Sequence, residues 1–107
     1  MHRTVAGFVW DEGNREKCQK HGVSIAEIEG LFDRPHSIRV DVEHSLREER
    51  LKAIGKSSKG RYIFLVFTIR ERNGDRFIRP ISARYMHARE ARRYEQERAE
   101  LQKRRGG

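Results

Sequence analysis

Apolar residues along this 107-residue chain follow two rhythms, helical spacing before Pro35 and strand-like alternation after it. Ile25, Ile28, Leu31 and Phe32 fall on one helical face behind Ser24-Ile25-Ala26-Glu27. That spacing is a capping box, in which the Ser hydroxyl and the Glu carboxylate each satisfy an orphan backbone N–H. Pro35 cannot continue a helix and disfavours one at Arg34, so this helix ends near Asp33. Upstream, Gly7 to Trp10 is a short apolar run that reads as a first strand. Asp11 then stands as N-cap for a helix from Asn14 to Lys20, stopped by Gly22.

After Pro35, Ile38, Val40 and Val42 alternate with Arg39 and Asp41, the pattern of a half-buried strand. Glu49 to Ile54 predicts a second strand, followed by a loop from Gly55 to Gly60 that carries Lys56. Tyr62 to Ile69 is apolar on both faces and reads as the central strand. Asn73-Gly74 marks a tight hairpin, because both residues tolerate positive φ. Phe77 to Ala83 returns as the next strand, with Pro80 predicting an edge or a bulge because it lacks an N–H. His87 to Arg105 contains no Gly or Pro and predicts a helix with a thin apolar face of Ala88, Ala91, Tyr94 and Leu101. The expected fold is α+β, a small antiparallel sheet of about four to five strands with two N-terminal helices and a C-terminal basic helix. The chain is expected to be one domain, residues 1–107, with its core over about 7–96 and a protruding or frayed basic tail over 97–107.

Pairing Gly55 with Arg61 and Arg70 with Phe77 separates the two sheet faces. Leu51, Ala53, Ile63, Leu65, Phe67, Ile69 and Ile78 then share a core face. Arg50, Lys52, Phe64, Thr68, Arg70, Phe77 and Arg79 share the other, where cations interleave with aromatic rings. Single-stranded RNA asks for that mixture, cations for phosphates and rings for bases. The same pattern also describes an ordinary solvated sheet face.

Composition narrows the picture. With 36% hydrophobic and 37% charged residues the core must be lean. No stretch is long and apolar enough to cross a membrane, the N-terminus lacks a signal-peptide run, and the single Cys18 has no partner for a disulfide or a zinc site. A cytoplasmic protein with no membrane association is expected. The net charge of +8 is unevenly placed: residues 1–60 carry 11 Lys+Arg against 10 Asp+Glu, whereas residues 61–107 carry 13 against 6. The Arg-rich run from Phe77 to Tyr94 concentrates it where a strand passes into a helix. An anionic partner follows, RNA or DNA first.

The motifs Trp10-Asp11, Lys20-His21-Gly22-Val23-Ser24, Leu31-Phe32-Asp33, Glu43-His44-Ser45, Glu49-Arg50, Ile54-Gly55, Gly60-Arg61 and Ile81-Ser82-Ala83-Arg84, leading to Glu90 and Tyr94, occur in one order. In that ordered set, from roughly Phe8 to Glu95, the chain resembles the BrnT family of toxins from bacterial type II toxin–antitoxin pairs. The resemblance implies a RelE-like fold and metal-independent ribonuclease activity. It also implies an antitoxin with a ribbon-helix-helix domain that covers the active surface, and operator DNA reached only through that complex.

Cleavage by the neighbouring 2′-hydroxyl needs a proton acceptor, charge stabilisation at the phosphorane and a proton donor for the leaving oxygen. Arginine and lysine supply the second of these in a metal-free site. Arg84, Arg50, Arg79, Arg70 and Lys52 form that pool, with Arg84 also placed to pair with Glu90. His87 is the first proton-transfer candidate, since an ordinary imidazole titrates at about 6.5; Glu49, His44 and Tyr85 follow. Lys52, Arg70, Phe64, Thr68, Phe77 and Lys56 are the expected RNA contacts. No metal, cofactor, Ser or Cys nucleophile, or Gly-rich phosphate loop is indicated. The alternative is a non-catalytic basic module that binds nucleic acid, or a co-repressor that acts only with its antitoxin.

Overall fold

Capping geometry starts both N-terminal helices. Asp11 caps α1 (Glu12–Gln19) and Ser24 caps α2 (Ile25–Leu31). Each is a reciprocal box: Asn14 answers the N–H of Asp11, and Glu27 answers that of Ser24, as the Ser-x-x-Glu spacing predicts. The computed structural model describes residues 5–44 and 48–106, so Ser45 of the family-like motif lies outside the described residues.

Five strands form one sheet in the order β1-β5-β4-β3-β2. They are β1 (Gly7–Phe8), β2 (His36–Val40), β3 (Leu51–Lys56), β4 (Tyr62–Arg72) and β5 (Asp75–Tyr85), and α3 (Ala88–Gly106) closes the chain. All pairings are antiparallel except that of the two-residue β1, which runs parallel to β5. The hairpin turn is where it was expected, with Asn73 at φ 52° and Gly74 at φ 84°.

Three expectations need correction. Gly55 pairs with Ile63 rather than Arg61, and it lies within β3 rather than in a loop. The error is two residues, so the faces do not exchange. Glu49 precedes β3 instead of belonging to it. The strand expected over 38–42 spans His36–Val40, and Val42 sits in a 3-10 turn with 79% of its surface exposed. Ile38 and Val40, at 50% and 46%, are not half-buried partners of the core either, because β2 is the sheet edge.

The inner face carries the core. Ala53, Ile63, Leu65, Phe67 and Ile78 pack against Cys18, Val23, Ile28 and Leu31. Phe32 sets its ring edge-on to Phe67, with centroids 5.4 Å apart. Each fully buried side chain of this size contributes about 1.5–3 kcal/mol before chain entropy is counted. Pro80 lies at a bulge: Phe67 faces Pro80 and Val66 faces Ser82, leaving Ile81 extra. The Pro80 carbonyl accepts a hydrogen bond from Asn14 Nδ2 at 2.8 Å, which ties α1 to β5.

Candidate nucleic-acid interface

The register sets out the outer face in cross-strand rows. Arg84, Phe64, Ile54 and Ser37 form one; Ser82, Val66, Lys52 and Arg39 form the next; Arg79 and Thr68 pair beyond them. α3 covers only the Ile54 end. Tyr94, buried on the helix, shares a 2.7 Å hydrogen bond with Ser37 Oγ and sets its ring 5.3 Å from Tyr62. The remainder of the face is open, and half-buried Phe64 stands in it with a cation on either side. The Arg84 guanidinium lies 4.7 Å and the Lys52 ammonium 5.9 Å from its ring centroid. A stackable ring between two cations suits an unpaired base and its phosphates.

Every one of these cations meets a carboxylate. Arg84 makes a two-pronged pair with Glu90, at 2.9 and 2.8 Å. That bond is the main reason the Glu90 carboxyl falls to about 2 and the Arg84 guanidinium is pushed up. Arg79 binds Asp11 at 2.7 Å. The backbone N–H of Asn14, then Arg79, hold the Asp11 carboxyl below its usual range. Arg70 pairs closely with Glu48 and is the first cause of that carboxyl's downward shift. Lys52 lies 3.8 Å from buried Asp41. The open face is therefore a lattice of ion pairs, and a phosphate must compete with carboxylates or add to them.

The expected residues are unevenly gathered. Arg84, Phe64 and Lys52 are neighbours, and Arg70 and Phe77 pair across β4 and β5. Thr68 is 2% exposed and spends its hydroxyl on the Glu49 carbonyl at 2.8 Å, so it supports the loop beside the face. Glu49 itself is exposed. Half-buried Arg50 accepts the Asp41 N–H at its carbonyl and lies near enough to help lower the Glu48 carboxyl. Lys56 sits away from this group, 5.2 Å from the Tyr62 ring and 4.0 Å from Glu95. The His44 side chain lies outside the described residues.

His87 is exposed at the start of α3, and its N–H donates to Glu90 Oε1 at 3.1 Å. His87 lines an open cleft of about 730 Å³ together with His21, Arg61, Arg84 and Tyr85. His21 and Arg61 entered the sequence reading only as members of motifs, with no role. The signal available for them was a histidine at a helix stop and an arginine opening a strand. Arg61 places its guanidinium 3.9 Å from the Tyr85 ring centroid, and no carboxylate among the described residues lies within ion-pair distance of it. The Tyr85 hydroxyl donates to Glu27 at 2.7 Å, which is the chief reason its proton is held more tightly than usual.

Among the described residues, no three His, Cys, Asp or Glu side chains gather as a metal-binding group. Burial pushes the Cys18 thiol up to about 11, so it is not a nucleophile. No described helix is long and apolar enough to cross a membrane. The chain matches no curated protein. Residues 10–90, from Trp10 through Glu90, match the family described as "Ribonuclease toxin, BrnT, of type II toxin-antitoxin system". The matched span holds the whole open face, His21, Arg61 and His87, and leaves most of α3 outside it.

Proposed function

We propose, from the premise that the chain belongs to the BrnT family of ribonuclease toxins of type II toxin–antitoxin systems, that it cuts RNA by 2′-hydroxyl attack without a metal. In this reading it acts in the cytoplasm, where it inhibits translation and arrests growth. An antitoxin with a ribbon-helix-helix domain neutralises it and carries it to operator DNA.

The observation that carries the reading is the corner where β5 passes into α3. There Arg84 lies over Phe64, and three positions on, past Tyr85 and Met86, His87 opens the helix. A base stacked on Phe64 would place its phosphate against Arg84. Removing one such charge-stabilising donor costs about 10²–10³ in rate. Removing a general acid or base costs about 10²–10⁴.

The test is induction of this chain alone in a bacterial host, with growth and RNA integrity followed beside an Arg84→Ala/His87→Ala double variant at matched expression. Arrest with RNA loss, relieved in the variant, is expected. Unchanged growth and RNA with folded wild-type protein present would refute the reading. The lock between Arg84 and Glu90 favours one alternative, a binding module without catalysis. For that module, each lost cation lowers affinity gradually and reduces the salt slope by about 0.7 on single strands. No single substitution would then abolish activity while binding survives.

A further inference from the structure

Resting on the ribonuclease reading, we propose that the scissile phosphate sits in the cleft at the end of β5, with His21 and His87 as the proton-transfer pair and Arg61 as its phosphate ligand. The open sheet face supplies charge but few proton carriers. Its carboxylates Asp11, Glu48 and Glu90 are each paired with an arginine and held below the usual carboxylate range, Asp11 first of all by the Asn14 N–H, which makes them weak bases. Tyr85 has committed its proton to Glu27. The cleft is lined by what the face lacks, two histidines from distant parts of the chain.

Arg61 differs from Arg84, Lys52, Arg70 and Arg79 of the open face in having no carboxylate partner among the described residues. Stacking on Tyr85 uses the flat face of the guanidinium and leaves the N–H fork at its rim for phosphate oxygens. Arg84 lines the same cleft and also lies over Phe64, so a strand leaving the cleft runs directly onto the stacking ring.

One neutral imidazole takes the 2′-hydroxyl proton as the 2′-oxygen bonds to phosphorus. The other, protonated, gives its proton to the 5′-oxygen as the P–O5′ bond breaks. The products are a 2′,3′-cyclic phosphate and a 5′-hydroxyl, and no oxidant, metal or water is consumed. Exchange of protons with solvent restores both rings. The charged and titratable groups facing the pair are Arg61, Arg84 and Tyr85 in the cleft, with Arg89, Glu90 and Arg93 of α3 beside His87. Because one ring must be neutral and the other charged, the rate should pass through a maximum in pH.

The experiment uses the purified chain on an RNA whose cut site has been mapped with wild-type protein. His21→Ala and His87→Ala should each lose about 10²–10⁴ in rate. Their affinity for a 2′-O-methyl RNA, which cannot be cut, should stay unchanged. Only one of the two should recover on RNA with a bridging 5′-sulfur leaving group, which needs no proton donor. Arg61→Ala should lose both affinity and rate, and His36→Ala, on the other face, neither. Cleavage by His21→Ala at the wild-type rate would overturn the assignment while leaving the ribonuclease reading intact. Absence of wild-type cleavage would overturn both. If a variant loses its fold, NMR of the wild type decides: inorganic phosphate must shift both imidazoles, and a shift confined to His87 would also overturn the proposal.

Discussion

Asn14 and Glu90 do at single positions what no periodicity announces. Asn14 accepts the Asp11 N–H and donates to both the Val9 and Pro80 carbonyls, so one amide joins β1, α1 and β5. Asn14→Ala should leave these groups unpaired and cost about 1–3 kcal/mol, read as a lower denaturant midpoint. In the proposed reading, Glu90 works against RNA by occupying Arg84. Its carboxyl falls from 4.5 to about 2, so the pair's contribution to stability is complete above about 4.5 and is lost as pH falls toward 2. Binding assays near neutrality therefore see the pair intact. Glu90→Gln keeps an acceptor for the His87 N–H but frees the guanidinium. It should tighten RNA binding and steepen the salt slope by about 0.7, measured by fluorescence anisotropy across a salt series.

At the scale of elements, β3 is pinned by a close approach. A Cβ on Gly55 would stand 2.8 Å from Leu31 Cδ1 and 3.0 Å from the Pro35 carbonyl oxygen. The leucine could turn aside, but the backbone could not. Gly55→Ala should therefore cost about 1–3 kcal/mol as an overpacked site and lower the thermal midpoint. The opposite holds for the end of α3. Every residue from 95 to 105 is exposed, and the helix keeps its place through Tyr94. Deleting 99–107 should leave a single cooperative melt with a midpoint within a few degrees of wild type, followed by circular dichroism. It should weaken RNA binding through the loss of Lys103, Arg104 and Arg105. Retention of full affinity would show that this end of the helix lies off the RNA path.

Across the whole molecule, a sheet with one packed and one open face separates stability from recognition. Helices α1 and α2 seal the inner face around Leu65 and Phe67, whereas α3 covers just one end of the outer face. The surplus of positive charge in residues 61–107 is thereby displayed along β4, β5 and α3. The carboxylates that answer it are Asp11 from the cap of α1, Glu48 from the connection before β3 and Glu90 from α3 itself. In the proposed reading, such a surface draws in RNA at long range, where net charge acts. At contact, the phosphates must displace or accommodate local partners.

The helix caps, the Asn73-Gly74 hairpin, an edge or a bulge at Pro80 and the division of the strands into two faces were legible in the residues alone. These features depend on local backbone geometry and on a side-chain period of two. For that reason a register misjudged by two residues at Gly55 still placed Phe64 and Lys52 on the open face and Leu65 in the core. Val42 was misread because alternation reports which way a side chain points, not where the strand ends, and Val42 lies beyond β2 in a 3-10 turn with 79% of its surface exposed. The pairing of Arg84 with Glu90, six residues apart, was legible as well. The pairing of Arg79 with Asp11 and of Arg70 with Glu48, and the meeting of His21, Arg61 and His87 around one cleft, were decided only by the tertiary structure. These residues lie at element ends, where no periodicity operates. The order of strands and the packing of helices bring them together across long stretches of chain.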